Sequence, residues 1–187
     1  MTASVRLDRA ALRRTVERLA REISADHSDG VVLIGVLKGA SIFLADLVRA
    51  IDVDVVVDFL AISRYAPDSG RVRILQDLAI DITDRDVVIV EDLVDTGLTL
   101  AFLTRHLSER NARRVDVCTL LDRSVRRIVP LPILYVGHEV GDEFLVGYGL
   151  HHAERYRNLP VLAEVDRAVL DADPDAYLGL YDASPGS

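Results

Sequence analysis

Two uninterrupted runs of apolar, mostly β-branched residues constrain the fold of this chain more than any other feature. VVLIGV (residues 31–36) and VVIV (87–90) each lead into a turn, and after each turn the apolar residues recur every three or four positions, as in a helix. Antiparallel strands with one face in solvent alternate apolar and polar residues, whereas parallel strands covered on both faces do not. The chain therefore predicts an α/β fold with an open, mostly parallel sheet and flanking helices.

Other segments extend this pattern in both directions. Residues 7–23 have the spacing of an amphipathic helix, and RYAPDSGR (64–71) has the composition of an exposed loop. Three more strands are predicted: VDVVVDFLAI (53–62), VRILQDL (72–78, a short returning strand) and VDVCTLL (115–121). Beyond residue 123 the pattern changes to shorter pieces, which predict a small antiparallel hood built from the terminal segments: ILYVGHEV (133–140), EFLVGYGL (143–150) and VLAEV (161–165).

Length and charge limit the domain organisation and the classes of partner. The 187 residues suffice for one well-packed domain, predicted at 1–170, and residues 171–187 are rich enough in Asp, Pro, Gly and Ser to predict a loosely ordered tail. A net charge of -8 argues against nucleic-acid and anionic-membrane partners. Cys118 is the only cysteine, and no apolar run approaches the roughly 20 residues of a membrane helix. We therefore expect a cytoplasmic protein.

Three carboxylates follow the second apolar run, at Glu91, Asp92 and Asp95, and Thr96-Gly97 comes directly after them. Ligands of open α/β sheets bind at the carboxyl ends of the strands, where this segment and the LKGA turn (37–40) both fall. A tight turn at Gly97 would let backbone N–H groups and the next helix hold a phosphate. The acids could accept hydrogen bonds from a sugar diol, hold Mg²⁺ through water, or take a proton.

The segment VVIVEDLVDTGLT resembles the signature with which type I phosphoribosyltransferases bind 5-phosphoribosyl 1-diphosphate (PRPP). More narrowly, LKGA, ISRY, EDLVDTG, LLDR, FLVGYGL and AERYRNLP occur in the order typical of the hypoxanthine-guanine phosphoribosyltransferases, over residues 31–165. The resemblance implies the type I phosphoribosyltransferase fold. It also implies Mg²⁺-dependent transfer of 5-phosphoribose from PRPP to a purine base with release of pyrophosphate, in a homodimer or homotetramer.

The resemblance also implies roles for individual residues. Asp95 is the implied catalytic residue, near N7 of the purine. Glu91 and Asp92 are implied to bind the ribose hydroxyls and, through water, Mg²⁺. The other implied residues are Leu37, Lys38 and Gly39 in a pyrophosphate loop that often contains a non-proline cis peptide; Asp95, Thr96, Gly97, Leu98 and Thr99 around the 5′-phosphate; Arg157 at the pyrophosphate; Arg123, Phe144 and Leu145 at the base; and Arg64 and Tyr65 in a loop that closes over the site.

Four positions depart from the family pattern, and one of them is Arg64, which stands where the closing loop usually carries Ser before Tyr. Arg123 stands where family members commonly carry Lys, which donates to the 6-oxo group of the base, and His138 stands where an aromatic residue is usual. His151 stands where an Asp usually contributes to the Mg²⁺-pyrophosphate side of the site. An imidazole suits Mg²⁺ less well than a carboxylate does.

These departures leave three functional hypotheses open. The first is an ordinary 6-oxopurine salvage enzyme that tolerates the substitutions. The second is a phosphoribosyltransferase for a modified base, such as a 7-deazapurine, in a specialised pathway. The third is a PRPP-binding regulator without turnover, since one fold can carry several functions. Asp95 disfavours the regulator, because a sensor has no need of a proton acceptor beside the base.

Overall fold

The computed structural model describes residues 3–63 and 73–182, and strands alternate with helices through most of them. In chain order the elements are β1 (Ser4–Leu7), α1 (Arg9–Asp26), β2 (Val31–Leu37), α2 (Ala40–Ala50), β3 (Val55–Ile62), β4 (Ile74–Gln76), β5 (Asp86–Val94), α3 (Leu98–Ser108), β6 (Arg114–Asp122), a 3₁₀ turn (Ser124–Arg126), β7 (Tyr135–Glu139), β8 (Leu145–Val146), β9 (Leu162–Glu164), α4 (Arg167–Ala172) and α5 (Gly179–Asp182).

A six-stranded sheet with the order β4-β3-β2-β5-β6-β7 forms the centre of the molecule. Strands β3, β2, β5, β6 and β7 run parallel to one another, and β4 is an antiparallel strand at one edge. The predicted parallel sheet and the short returning strand are therefore confirmed. The two apolar runs that led to this prediction form β2 and β5, which lie side by side in the middle of the sheet.

Helices cover both faces of this sheet. Within β2, Leu33 joins a cluster with α1 and α2, whereas its neighbours Val32 and Ile34 join a second cluster with α3. All three side chains are fully buried, which is why the strand is apolar at every position rather than at every second one. Among the described residues, no helix has the length and apolar character needed to cross a membrane.

The prediction that ILYVGHEV belongs to the antiparallel hood is wrong. This segment forms β7, which lies parallel to β6 in the main sheet with Tyr135 opposite Cys118. At Gly137 a Cβ atom would overlap the backbone carbonyl of Leu120, so the close approach of the two strands requires glycine. Arg18 of α1 donates hydrogen bonds of 2.9 Å to the carbonyls of Val136 and Gly137. These contacts are distant in sequence and give no local signal.

A separate three-stranded antiparallel sheet with the order β1-β9-β8 forms the predicted hood from the terminal segments. It adjoins a third apolar cluster that extends into the C-terminal region. Tyr177 and Leu180 are buried in this cluster, and the Tyr156 hydroxyl donates a 2.6 Å hydrogen bond to the carbonyl of Pro174. Residues 171–182, whose composition predicts a loose tail, thus contribute buried side chains to the core.

We expect Gly137→Ala to lower the free energy of unfolding by about 1–3 kcal/mol, the usual cost of forcing an extra carbon into a filled space. Urea unfolding at 25 °C would measure it. Gly179→Ala is the control for added volume, since no atom lies within 4 Å of its Cβ position, and this change at the start of α5 should leave stability unchanged or raise it by at most about 1 kcal/mol. Equal stability of Gly137→Ala and wild type would contradict the close contact between β6 and β7.

Candidate active site

A cavity of about 310 Å³ lies at the carboxyl ends of β2 and β5, where the LKGA turn and the acidic segment were expected to meet. The two strands pair in parallel with Gly35 opposite Val90, so the residues that follow them emerge together. The cavity is lined by Val36, Leu37, Gly39, Ile62, Ser63, Glu91, Asp92, Leu93, Val94, Asp95, Thr96, Gly97, Thr99 and Leu100. The structure therefore brings the LKGA turn and the acidic segment into one site.

The turn after β2 is held against its neighbours on two sides. The peptide bond between Leu37 and Lys38 is cis. A Cβ atom on Gly39 would overlap the carboxylate of Asp92, and a Cβ atom on Gly149 would overlap the Gly39 carbonyl oxygen. Gly149 has a φ of +105°, in the region that favours glycine. Glycine at both positions lets the backbone of this turn lie between an acid and a neighbouring loop.

Glu91 and Asp92 form a pair of neighbouring acids, of which Glu91 is buried and Asp92 is half-buried. Burial raises the pKa of Glu91 well above its usual value, and the nearby charge of Asp92 adds to the effect. Burial also raises the pKa of Asp92, although the Leu93 N–H, which donates a 2.9 Å hydrogen bond, and the charge of Arg157 partly oppose it. The pair therefore favours a ligand that donates hydrogen bonds or carries positive charge.

The start of α3 has the geometry of an anion site. Gly97 precedes the helix with a φ of +83° and has no side chain to cap its first turn. The Leu98 N–H donates only a long 3.4 Å hydrogen bond to Thr96 Oγ1. Such weakly capped N–H groups and the positive end of the helix attract phosphate without a cationic side chain. From outside the turn, Ile128 and Val129 donate backbone hydrogen bonds of 2.9 and 3.2 Å to the Thr96 carbonyl. Leu98 is exposed at the first helical position, and Thr99 lines the cavity.

Asp95, which lines the cavity, faces two arginines. Nη1 of Arg123 and Nη1 of Arg126 each lie 3.7 Å from Asp95 Oδ2. Within residues 3–63 and 73–182, Asp95 Oδ1 is buried without a hydrogen-bond partner. Sequence reasoning missed Arg126. The sequence feature that could have indicated Arg126 is its three-residue spacing from Arg123, because side chains at i and i+3 of a 3₁₀ turn lie above one another.

The guanidinium of Arg123 is largely committed to the backbone. Its Nε donates a 2.7 Å hydrogen bond to the Gly141 carbonyl, and its Nη2 donates a 2.8 Å hydrogen bond to the Glu143 carbonyl. Arg123 is also buried. Only Nη1 faces Asp95, so the fork of donors is reduced to a single nitrogen on that side.

A second group of charges lies where the resemblance implies pyrophosphate binding. Lys38 Nζ is 3.2 Å from Glu154 Oε2, and Arg157 Nη2 is 3.0 Å from Glu154 Oε1. Hydrogen bonds from Arg157, and then from Lys38, lower the pKa of Glu154 to about 2. His151 Nδ1 accepts a 3.1 Å hydrogen bond from the Glu154 N–H. Glu154 was not predicted, because 116 residues separate it from Lys38.

The other predicted residues lie in different surroundings. Phe144 is half-buried, with its ring 5.8 Å from that of His152 and a guanidinium carbon of Arg167 5.6 Å above it. Leu145 is buried in β8. Neither is among the described residues that line the 310 Å³ cavity. His138 bonds to Thr15 Oγ1 at 2.7 Å, and burial lowers its pKa. The predicted closing residues, Arg64 and Tyr65, lie outside the described residues.

Comparison with known proteins gives consistent matches over most of the chain. A family model described as a phosphoribosyl transferase domain matches residues 7–153. The hypoxanthine-guanine phosphoribosyltransferase of Mycobacterium tuberculosis H37Rv is 48% identical over 152 residues, which cover 80% of this chain and 75% of that protein. The hypoxanthine phosphoribosyltransferase of Escherichia coli K12 is 39% identical over 170 residues, covering 88% and 96%.

The solved structures agree with these sequence relatives. A crystal structure of a hypoxanthine-guanine phosphoribosyltransferase from Bacillus anthracis superposes with a TM-score of 0.84 at 42% identity, and the match covers 87% of this chain and 98% of that one. A hypoxanthine phosphoribosyl transferase of Trypanosoma cruzi superposes with a TM-score of 0.86 at 32% identity, covering 92% and 96%.

The raised pKa of Glu91 predicts a pH-dependent stability. Between its ordinary pKa of 4.5 and its higher folded pKa, the folded state binds more protons than the unfolded state, so stability falls as pH rises through this window. Glu91→Gln has no such proton, and we expect its stability relative to wild type to increase with pH across the window. Urea unfolding at several pH values, without added metal or ligand, measures the difference.

Glu109→Gln is the control for this series, because the Glu109 side chain is 60% exposed. Its stability relative to wild type should change little with pH. A Glu91→Gln difference that is also constant with pH would mean that Glu91 is not desolvated in the folded protein.

Proposed function

The chain belongs to the hypoxanthine-guanine phosphoribosyltransferase family, and from this membership we propose that it transfers 5-phosphoribose from PRPP to hypoxanthine or guanine and releases pyrophosphate. The observation that carries the proposal is the single cavity that joins the turn after β2, the acid pair of Glu91 and Asp92 and the start of α3. These three parts match the three parts of PRPP, which are a diphosphate, a ribose diol and a 5′-phosphate.

We assign the 5′-phosphate to the backbone from Asp95 to Thr99, because the weakly capped start of α3 offers N–H groups and a positive dipole. The ribose hydroxyls would donate to Glu91 and Asp92, which lack enough positive charge around them when the site is empty. The pyrophosphate would bind the backbone of residues 37–39, the Lys38 ammonium and the guanidinium of Arg157, whose positive charge also lowers the pKa of Asp92.

The reaction is a substitution at C1′ of the ribose. The C1′–O bond to pyrophosphate breaks and the oxygen keeps its electron pair, while a ring nitrogen of the base forms the new bond to C1′. The ribose becomes positively charged on the way, and the carboxylates of Glu91 and Asp92 lie where they would stabilise that charge. The base must lose a proton. Asp95 is the proposed acceptor, since its buried Oδ1 has no other partner in the described part of the chain.

On the base side, Arg123 Nη1 is the proposed donor to the 6-oxo group. Its other nitrogens are held by carbonyls, so this Arg would offer one donor in one direction, as the usual Lys does. Phe144 and Leu145 remain proposed base contacts by family resemblance. The relatives are named for hypoxanthine and guanine, which favours these bases over a 7-deazapurine and favours an enzyme over a regulator.

Mg²⁺ fits the donor chemistry of this site. Glu91 and Asp92 offer carboxylate oxygens, the ligand type that Mg²⁺ prefers, and Mg²⁺ commonly combines one or two carboxylates with water and substrate phosphates. The described residues contain no group of three or more acids, histidines or cysteines placed to hold a metal by themselves. When bound, Mg²⁺ would neutralise charge on the departing pyrophosphate. A homodimer or homotetramer and a cytoplasmic location remain predictions.

A panel of bases tests the proposed function. We expect turnover with PRPP and Mg²⁺ for hypoxanthine and guanine, and kcat/KM for a 7-deazapurine lower by at least about tenfold, the effect of about 1.4 kcal/mol in transition-state binding. The measurement is release of pyrophosphate and formation of the nucleotide for each base. Preference for the 7-deazapurine would favour the specialised enzyme, and binding of PRPP without turnover of any base would favour the regulator.

We expect Asp95→Asn to bind PRPP as wild type does and to lose about 10²- to 10⁴-fold in kcat, the usual contribution of a positioned proton acceptor. The amide keeps the shape of the side chain but cannot take the proton. Asp142→Asn is the control, because Asp142 pairs with Nε of the same Arg126, does not line the cavity and has a side chain that is 71% exposed. Unchanged kcat in Asp95→Asn would remove Asp95 from the chemistry.

A further inference from the structure

A carboxylate lies between the two cations that the proposed function assigns to pyrophosphate. One oxygen of Glu154 is 3.2 Å from Lys38 Nζ, and the other is 3.0 Å from Arg157 Nη2. Lys38 is the only lysine in the chain, and the Arg157 side chain is 21% exposed. The singly charged carboxylate of Glu154 thus occupies the position between Lys38 and Arg157 where an anionic ligand would bind.

The backbone conformation of the turn around residues 151–157 fixes the position of the Glu154 carboxylate. Ala153 and Glu154 have φ values of +46° and +65°, in the left-handed region that residues other than glycine seldom adopt. The N–H of Glu154 donates to His151 Nδ1, three residues earlier, which closes the turn. At the other end of the segment, Arg157 Nη1 donates a 2.7 Å hydrogen bond to the Gly149 carbonyl. Gly149 itself contacts the Gly39 carbonyl oxygen. The turn therefore holds Glu154 beside the predicted pyrophosphate loop.

Resting on the proposed function, we propose that Glu154 is an internal counter-ion of the pyrophosphate subsite, which pairs with Lys38 and Arg157 in the free enzyme and competes with pyrophosphate for them. When the diphosphate of PRPP or free pyrophosphate binds, the Glu154 carboxylate leaves these cations for solvent. The same carboxylate returns as pyrophosphate departs. Glu154 would thereby weaken the binding of PRPP and pyrophosphate alike.

Exposure and charge both favour such an exchange. The Glu154 side chain is 58% exposed and that of Lys38 is 72% exposed, and ion pairs this accessible to water are held weakly. Pyrophosphate carries several negative charges, whereas the carboxylate carries one. Because the pKa of Glu154 lies near 2, the counter-ion keeps its own negative charge throughout the neutral range.

If Glu154 had a positioning role instead, its removal would change the affinity for pyrophosphate in the opposite direction. If Glu154 served to orient Lys38 and Arg157 for the ligand, its removal would leave both cations less ordered, and pyrophosphate would bind more weakly. If Glu154 competes with the ligand, its removal frees the cations and takes away a repelling charge, and pyrophosphate binds more tightly. The direction of the change therefore distinguishes a competing residue from a positioning residue.

The experiment is a calorimetric titration of pyrophosphate, with excess Mg²⁺, into the full-length wild type, Glu154→Gln and Glu154→Ala. We expect both variants to bind pyrophosphate about 3- to 10-fold more tightly than wild type, as expected for removing one exposed charge from the vicinity of an anion. The gain should shrink as KCl is raised from 20 to about 500 mM. Glu109→Gln, which removes an exposed charge paired with Arg105, should bind as wild type does.

Weaker or unchanged binding in either variant overturns the counter-ion role, and so does a gain that is independent of salt. Thermal unfolding of each variant checks that the fold is retained. A parallel titration with PRPP and the turnover assay with hypoxanthine separate this inference from the proposed function. If wild type binds neither PRPP nor pyrophosphate, both fail; if wild type binds and turns over while the variants do not bind more tightly, only the counter-ion role fails.

Discussion

The parallel pairing of β2 with β5 is the constraint on which the site depends. Gly35 lies opposite Val90, so the two strands reach their carboxyl ends together and the turn after β2 meets the acids of β5. Gly39 then lies so close to Asp92 that any side chain at position 39 would overlap the carboxylate. Because side chains alternate along a strand, a slip of one residue would turn Glu91 and Asp92 each to the face of the sheet opposite its present one. The buried residues of both strands fix this register through two separate apolar clusters.

The same burial determines which charges the site favours in a ligand. Central strands covered on both faces carry Glu91 and Asp92 largely out of water, and the pKa values of both rise as a result. Stability alone would favour apolar side chains here, so these acids belong to the class of residues that proteins retain for function at a cost in stability. Opposite them lie a weakly capped helix start and Arg157, which favour negative charge. A ligand with a diol between two phosphate groups would satisfy both halves.

Local sequence patterns predicted the parts of the molecule that depend on local physics. The apolar runs specified β2 and β5, and the Thr96-Gly97 pair specified the turn before α3. The parallel placement of β7 was not predictable, because it depends on Gly137 against Leu120 and on Arg18 from a distant helix. Contacts between side chains far apart in sequence were missed for the same reason. Arg126 reaches Asp95, and Glu154 reaches Lys38, only once the fold has brought them together.

His151 shows how the structure changes the meaning of a departure from the family pattern. Taken from sequence, His151 removes a carboxylate from the Mg²⁺-pyrophosphate side. In the structure its Nδ1 accepts the Glu154 N–H, and the side chain is only 18% exposed, so it closes the turn that carries Glu154. An Asp side chain can accept the same kind of hydrogen bond from a nearby N–H. The imidazole at position 151 therefore closes the turn without the negative charge of an Asp, while Glu154 keeps a carboxylate in the same region. The hydrogen bond that closes the turn is thus compatible with either residue, whereas the charge at position 151 and its suitability for Mg²⁺ differ between them.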